Sequence, residues 1–289
     1  MPRMESRHGL RPLPLWSDAG VRVLERAVER RGERGEASSR SGERDLVVAE
    51  EPLELRVAGE PLMVTMRTPG DDLDLAAGLL LTEGVVASLF EIASLRKAAE
   101  GRDRENVVEV TPALAGRLDV AAARRVLRAT AACGLCGKES IAAVRRRIPV
   151  LEDETRVALS VVLGLPGAVR EAQPVFAATG GLHAVGLFQP NGTRLLVRED
   201  VGRHNAVDKV IGARLREGAT SLAGTVMLLS GRAGFELVQK AAVARVPVVC
   251  SVSAPSALAV DLADEVGMTL VGFVRGASAN VYTHPRRIV

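Results

Sequence analysis

Apolar and polar positions change period along the chain, and the changes divide it into elements. Over 53–57 they alternate as in a half-buried strand, and 62–66 returns across the turn Ala58-Gly59-Glu60. Thr68-Pro69-Gly70-Asp71-Asp72 stops that sheet, and an aspartate there can cap a helix over 73–81. A strand over 106–110 and helices over 120–128 and 139–147 complete a smaller α+β domain, 45–150. From there the pattern predicts helix 167–178, ending at Gly180-Gly181, then strands 182–188 and 193–197. The last two are joined by Gln-Pro-Asn-Gly, a hairpin signal. Helix 206–217 places Val207, Val210 and Ile211 on one face. Strand 225–229, helix 235–245, strand 246–252, helix 255–266 and strand 269–274 follow. The order α-β-β-α-β-α-β-α-β predicts an α/β domain over 151–289, a mixed sheet with flanking helices and one antiparallel hairpin.

Residues 1–44 stand apart. Val21, Leu24 and Val28 fit a helix over 17–31, but the Arg-Gly-Glu-Arg-Gly-Glu-Ala-Ser-Ser-Arg run after it cannot build a core. The segment reads as a solvated, largely disordered extension.

The element order also says where a ligand would bind. Three parallel strands end in turns rich in glycine or serine: Ser230-Gly231-Arg232-Ala233-Gly234, Ser251-Val252-Ser253-Ala254-Pro255-Ser256 and Gly272-Phe273-Val274-Arg275-Gly276-Ala277-Ser278. All three lie at carboxyl ends of strands, the edge where open α/β sheets bind ligands. Two lead into helix N-termini, which offer free N–H groups to an anion, and Arg232 and Arg275 can clamp a phosphate. Arg203-His204-Asn205 begins the preceding helix on the same side. His204 reads equally as a hydrogen-bonded structural residue or as a ligand contact, whereas His183 reads as a polar residue within the strand pairing. Ordinary βα turns carry glycine and serine too, so the convergence of three turns is what points to a phosphorylated ligand. No Walker loop or Gly-x-Gly-x-x-Gly run is present, which disfavours a P-loop NTPase or a dinucleotide dehydrogenase.

Composition narrows the reading. At 289 residues, 47% hydrophobic and 25% charged, the chain has the makeup of a soluble globular protein. Ten arginines against seven carboxylates in residues 1–44 account for the whole net charge of +3, so the rest of the chain is neutral. A basic nucleic-acid face is therefore not indicated, and 2% aromatics disfavours a base-stacking surface. The start lacks an apolar leader, and no stretch approaches the roughly 18 apolar residues of a membrane span. With three cysteines there is no disulfide framework, and a reducing cytoplasm is the expected setting.

Two of those cysteines form Cys133-Gly134-Leu135-Cys136-Gly137-Lys138-Glu139-Ser140, predicted as an exposed loop before a helix. The third, Cys250, lies in the apolar run Val246-Pro247-Val248-Val249, where a buried, inert thiol is the default. Thiolates in a CxxC pair are activated by each other, by cations and by helix N-termini. Zinc would need two more ligands, and neither a second CxxC nor an HxxxH exists, so no zinc is expected. Deaminase zinc chemistry needs His-x-Glu and Pro-Cys-x-x-Cys; Ala132 precedes the first cysteine and His-x-Glu is absent. A thioredoxin-like pair would follow a strand, but helix is predicted upstream. The remaining task is carrying sulfane sulfur as a persulfide on a mobile loop.

The thiol motif, with Met-Arg-Thr-Pro-Gly-Asp-Asp at 66–72, Gly-Leu-Leu-Leu-Thr-Glu-Gly at 78–84 and Thr-Gly-Gly-Leu-His at 179–183, resembles the formate dehydrogenase accessory sulfurtransferases, the FdhD family. Arg-Glu-Asp-Val-Gly-Arg-His-Asn-Ala-Val-Asp-Lys at 198–209, Ser-Gly-Arg-Ala-Gly-Phe-Glu at 230–236 and Ser-Ala-Pro-Ser-Ala-Leu-Ala at 253–259 extend the likeness over about 46–278. The resemblance implies a larger domain similar to cytidine deaminases without their zinc. It implies that sulfur comes from a cysteine desulfurase and passes to the molybdenum of a bis(molybdopterin guanine dinucleotide) cofactor, bound as substrate, before that cofactor enters formate dehydrogenase. Cys133 then matches the persulfide-bearing thiol and Cys136 its partner. Residues Phe273, Val274, Arg275, Gly276, Ala277 and Ser278 match the cofactor-binding stretch. With them the strand-edge residues Arg203, His204, Ser230, Gly231, Arg232, Ser253 and Ser256 make the candidate cofactor-binding set. A homodimer is compatible with this reading; nucleic-acid and membrane partners are not expected. A structural CxxC module and a passive nucleotide carrier are the rival readings.

Overall fold

A computed structural model describes residues 23–28, 44–101, 104–114, 118, 123–124, 148 and 150–289. Twelve strands and six α-helices are assigned among them. The larger sheet runs β12-β11-β10-β9-β7-β8, from strands β7 (His183–Phe188), β8 (Arg194–Asp200), β9 (Val226–Leu229), β10 (Val248–Ser251), β11 (Thr269–Arg275) and β12 (Ser278–Val281). Strands β9, β10 and β11 are parallel; β7, β8 and β12 are antiparallel to their neighbours.

The sheet's apolar runs are explained by cover on both faces. Met227 and Leu229 of β9 point to a core shared with α4 (Arg203–Arg216), α5 (Phe235–Val243) and α6 (Ala257–Glu265). Val226 and Leu228 point the other way, onto α2 (Leu159–Glu171) through Val162, Leu165 and Val169.

A second sheet runs β4-β3-β6-β5, from β3 (Glu51–Val57), β4 (Glu60–Arg67), β5 (Ile92–Lys97) and β6 (Val107–Pro112). The alternating Leu53, Leu55 and Val57 face α1 (Asp72–Thr82), burying Leu75, Leu79 and Leu80. Helix α1 also packs on α4, so the two sheets share a helix pair. The helices touch backbone to backbone: a Cβ at Gly78 would stand 1.9 Å from the Asp208 carbonyl oxygen, and one at Gly212 1.8 Å from that of Asp74. Only glycine fits at both points.

Charged side chains fill the rest of this junction. Lys240 bonds Asp208 at 2.9 Å, Glu83 at 2.7 Å and the Thr82 hydroxyl at 2.8 Å. Burial alone would lower the Lys240 pKa, but the Asp208 and Glu83 carboxylates more than offset it and hold it above the ordinary lysine value. Lys209 bonds Asp200 at 2.7 Å and donates to the Thr68 carbonyl at 3.0 Å. Arg67 makes a two-pronged contact with Asp72 and reaches Asn106. These residues tie the loop 68–71 to the start of α4.

Several sequence expectations shift. Within 17–31 the described residues form strand β1 (Val23–Ala27), antiparallel to β2 (Arg44–Val48). Val23 is fully buried beside Val175 and Leu182, so tertiary burial overrides the helical spacing. The helix expected over 167–178 is two: α2 starts earlier, on the stripe Val162–Leu165–Val169, and α3 (Pro174–Thr179) restarts at a proline. The residue before a proline is pushed out of the helical region, which separates them. Asp71 stands at the N-cap of α1, but its side chain makes no capping bond; it has φ 54° and faces Arg198 at 3.4 Å. The hairpin strand β8 runs three residues beyond its expected end, and edge strands β5 and β12 were not expected at all. Only Ala123 and Arg124 of the predicted helix 120–128 are described, and helix 139–147 lies entirely outside the described residues. Among the described residues no helix is long and apolar enough to cross a membrane.

Candidate anion-binding site

The three predicted turns form one backbone ledge. Ala233 N donates to Ala254 O at 3.2 Å and Ser256 N to Ala233 O at 3.0 Å, joining the turns after β9 and β10. Phe273 N donates to Ser253 O at 3.1 Å, joining the third. The first two lead into α5 and α6, as expected; the third folds back as the β11–β12 hairpin. A β-bulge between Gly272 and Arg275 shapes that hairpin. Phe273 sits there at φ 52°, an unusual conformation for a bulky residue. Its ring is half-buried, with the Arg275 guanidinium 5.3 Å from the ring centre. Val274 is fully buried in the sheet core, so it offers a ligand no side chain. Arg275, Gly276, Ala277 and Ser278 are exposed.

Beside the end of β9 lies a shallow surface pocket that is open to solvent. His183, Arg203, Ser230, Gly231 and Arg232 are among its lining residues. The sheet explains the grouping: β7 is antiparallel to β9, so its first residue, His183, meets the residues following the end of β9. The His183 ring lies against Gly231, where a Cβ would stand 3.4 Å from Nδ1. Ser230 Oγ accepts from Ala184 N at 2.9 Å, which leaves its hydroxyl proton to donate. Arg203 and Arg232 are exposed and have no carboxylate partner among the described residues.

Among the described residues the pocket therefore gathers two arginine charges that no carboxylate meets. Burial first, then the Arg203 and His204 charges, lower the His183 pKa below the usual 6.5 against the pull of Asp200. Asp200 is already committed to Lys209, to Asn205 Nδ2 at 3.0 Å and to Gly202 N at 2.8 Å. His204 pairs through Nε2 with Glu236 at 2.6 Å, and the second Glu236 oxygen is buried without a hydrogen-bond partner.

Of the candidate residues, Arg203, Ser230, Gly231 and Arg232 share the pocket. Ser253 and Ser256 lie on the next turn; Ser253 uses its carbonyl to hold Phe273, and the Ser256 hydroxyl caps α6 by accepting from Ala259 N at 3.3 Å. The segment 273–278 stands two strand spacings from the end of β9, roughly 10 Å. Cys133 and Cys136 lie outside the described residues. His183, expected within the strand pairing, is on the pocket wall, and Glu236 was not singled out. Its signal would have been an acid in the first turn of a helix beside the helix whose first turn carries His204. Cys250 is fully buried, and burial pushes its thiol up to about 12.

Fold and pocket define a mixed α/β protein with glycine turns and two exposed arginines gathered at its parallel-strand edge. The FdhD/NarQ family profile matches residues 48–289, and the chain belongs to that family. It is 49% identical over 274 residues to the sulfur carrier protein FdhD of Streptomyces avermitilis, covering 92% of this chain and 96% of that one. It is also 49% identical over 250 residues to the protein of the same name from Nocardia farcinica, covering 84% and 88%. A crystal structure described as that of a formate dehydrogenase accessory protein from Desulfotalea psychrophila superposes with TM-score 0.70. It shares 22% identity, with 92% of this chain and 99% of that chain covered, so it supports the fold alone.

Proposed function

We propose that this protein is a sulfur carrier for formate dehydrogenase, a sulfurtransferase that loads Cys133 from a cysteine desulfurase and sulfurates the molybdenum of a bis(molybdopterin guanine dinucleotide). The observation that carries the reading is the family match over 48–289, which spans the Cys133-Gly-Leu-Cys136 motif. In the first step the Cys133 thiolate attacks the terminal sulfur of the donor persulfide. A new S–S bond forms, the old one breaks, and the donor leaves as a thiolate. Cys136 then has two available roles. It can take the sulfur by the same exchange, or attack the Cys133 sulfur to form a disulfide and expel hydrosulfide. In the second case hydrosulfide carries both electrons of the broken bond and replaces an oxygen ligand of the substrate's metal, which leaves as hydroxide. A thiol reductant then restores the pair.

The pocket supplies the substrate's anchor. Arg203, Arg232 and the N–H groups around Gly231 suit one pyrophosphate, and the α5 N-terminus adds its positive end. The half-buried Phe273 ring and Arg275 offer a stacking face and a charge near the β11–β12 hairpin. Complementing a deletion strain with wild type or Cys133→Ala tests the carrier role: the variant should lose formate dehydrogenase activity. Mass spectrometry after incubation with desulfurase and cysteine should find one added sulfur on Cys133. Full activity of Cys133→Ala would favour a passive nucleotide carrier, and zinc in the purified protein would favour a structural CxxC module.

A further inference from the structure

The pocket contains a residue that the sequence reading assigned to the strand pairing. His183 lies against Gly231 in the cleft that the exposed arginines Arg203 and Arg232 also line. We infer that His183 is a direct contact for the ligand's phosphates and that binding them is coupled to proton uptake on its ring, so affinity rises as pH falls. This rests on the reading of the pocket as a pyrophosphate site and adds its regulation by protons.

The charges around the ring make the coupling follow. The charges of Arg203 and His204 on α4 act on it, and Arg232 of the turn after β9 lines the same cleft. From β8 it faces its register partner Asp200. Asp200 is held by Lys209 at 2.7 Å, so its charge is already balanced. Glu236 of α5 is engaged by His204 at 2.6 Å. In the empty pocket a third positive charge beside the two arginines is repelled, and the half-buried ring stays neutral. A bound pyrophosphate reverses the local sign and gives the imidazolium a hydrogen-bond acceptor. Linkage is reciprocal: whatever the ligand does to proton affinity, the proton does to ligand affinity.

The probe should not titrate itself, because a terminal phosphate has its own pKa near 6. GDP-mannose meets that need, since its pyrophosphate is esterified at both ends. Calorimetry of the full chain at pH 6 and pH 8, in buffers of different ionisation enthalpy, should show net proton uptake. A shift of one pKa unit is worth a factor of ten, so binding should be about five- to tenfold tighter at pH 6. His183→Gln should remove most of that slope, whereas His204→Gln should retain it. Should the glutamine variant fold poorly, NMR titration of wild-type His183 gives the same answer, its pKa rising on addition of GDP-mannose. An unchanged slope in His183→Gln, a slope abolished by His204→Gln, or a His183 pKa indifferent to ligand would overturn the inference and leave the pocket's assignment standing. Absence of GDP-mannose binding at either pH would overturn the assignment, and this inference with it. Sulfur loading of Cys133 reports separately on the carrier role.

Discussion

The junction between the two sheets and the strand edge beside it use cationic residues in opposite ways. At the junction Arg67, Lys209 and Lys240 are buried, and each meets a carboxylate at hydrogen-bonding distance. At the edge Arg203 and Arg232 are exposed and meet none among the described residues. A buried cation without a partner would be too costly to keep, so pairing at the junction says nothing about ligands. An exposed cation needs no partner, but two of them converging on a glycine turn at the carboxyl ends of parallel strands favour an anion. Burial and partner, more than residue type, separate structural charge from functional charge here.

The sharpest way to break this contrast is to remove a charge from each side. Asp208→Ala leaves Lys240 buried and short of its main partner, and losing one member of a buried pair costs about 3–5 kcal/mol. Chemical denaturation should register that loss. Gly78→Val attacks the same junction without charge, since its Cβ would collide with the Asp208 carbonyl. Overpacking costs about 1–3 kcal/mol even where neighbours can move, and backbone gives little. Arg232→Ala should do the reverse of both. Exposed away from any partner, it should change stability by no more than about 0.5 kcal/mol. GDP-mannose affinity should nevertheless fall at least tenfold, in line with about 1.5–3 kcal/mol for a charged hydrogen bond. A large stability loss in Arg232→Ala with unchanged affinity would erase the distinction.

Acid sharpens the junction side. Burial opposes charge on Asp72, but Arg67 and Lys97 win and hold its pKa below the usual aspartate value of 3.8. A depressed folded pKa contributes stability above the unfolded value, and that contribution disappears as pH falls through the folded one. Wild type should therefore exceed Asp72→Asn in stability at neutral pH, and the gap should close below about pH 4. A gap that persists to pH 2 would mean that Arg67 does not depend on this carboxylate's charge.

The contrast also explains what could be read from sequence. The central strands β7, β9, β10 and β11 are apolar on both faces, and the last three run into turns rich in glycine or serine, so their order and the shared edge were legible. Edge strand β5 is half exposed and carries no clean period, and β12 alternates over only four residues. In β1 the buried Val23 owes its conformation to Val175 and Leu182, more than a hundred residues away. Arg203 and Arg232 were legible because topology alone puts both turns on one edge. His183 and Glu236 were not, because each acquires its role from a neighbour on another element: Gly231 for one, His204 for the other.

Thiols obey the same rule, and Cys250 supplies the smallest predicted effect. It has no exposed surface in the β10 core, and burial pushes its pKa up to about 12. At pH 8 only about one molecule in ten thousand would carry it as the thiolate, the form that reacts. Iodoacetamide should therefore leave Cys250 unmodified in the native protein and alkylate it after unfolding in urea. The same burial predicts that desulfurase loading places no sulfur there, so a Cys250→Ala variant should accept as much sulfur as wild type. Persulfide found on Cys250 in the folded protein would mean that the β10 strand opens during transfer. Accessibility would then cease to separate this thiol from the CxxC pair.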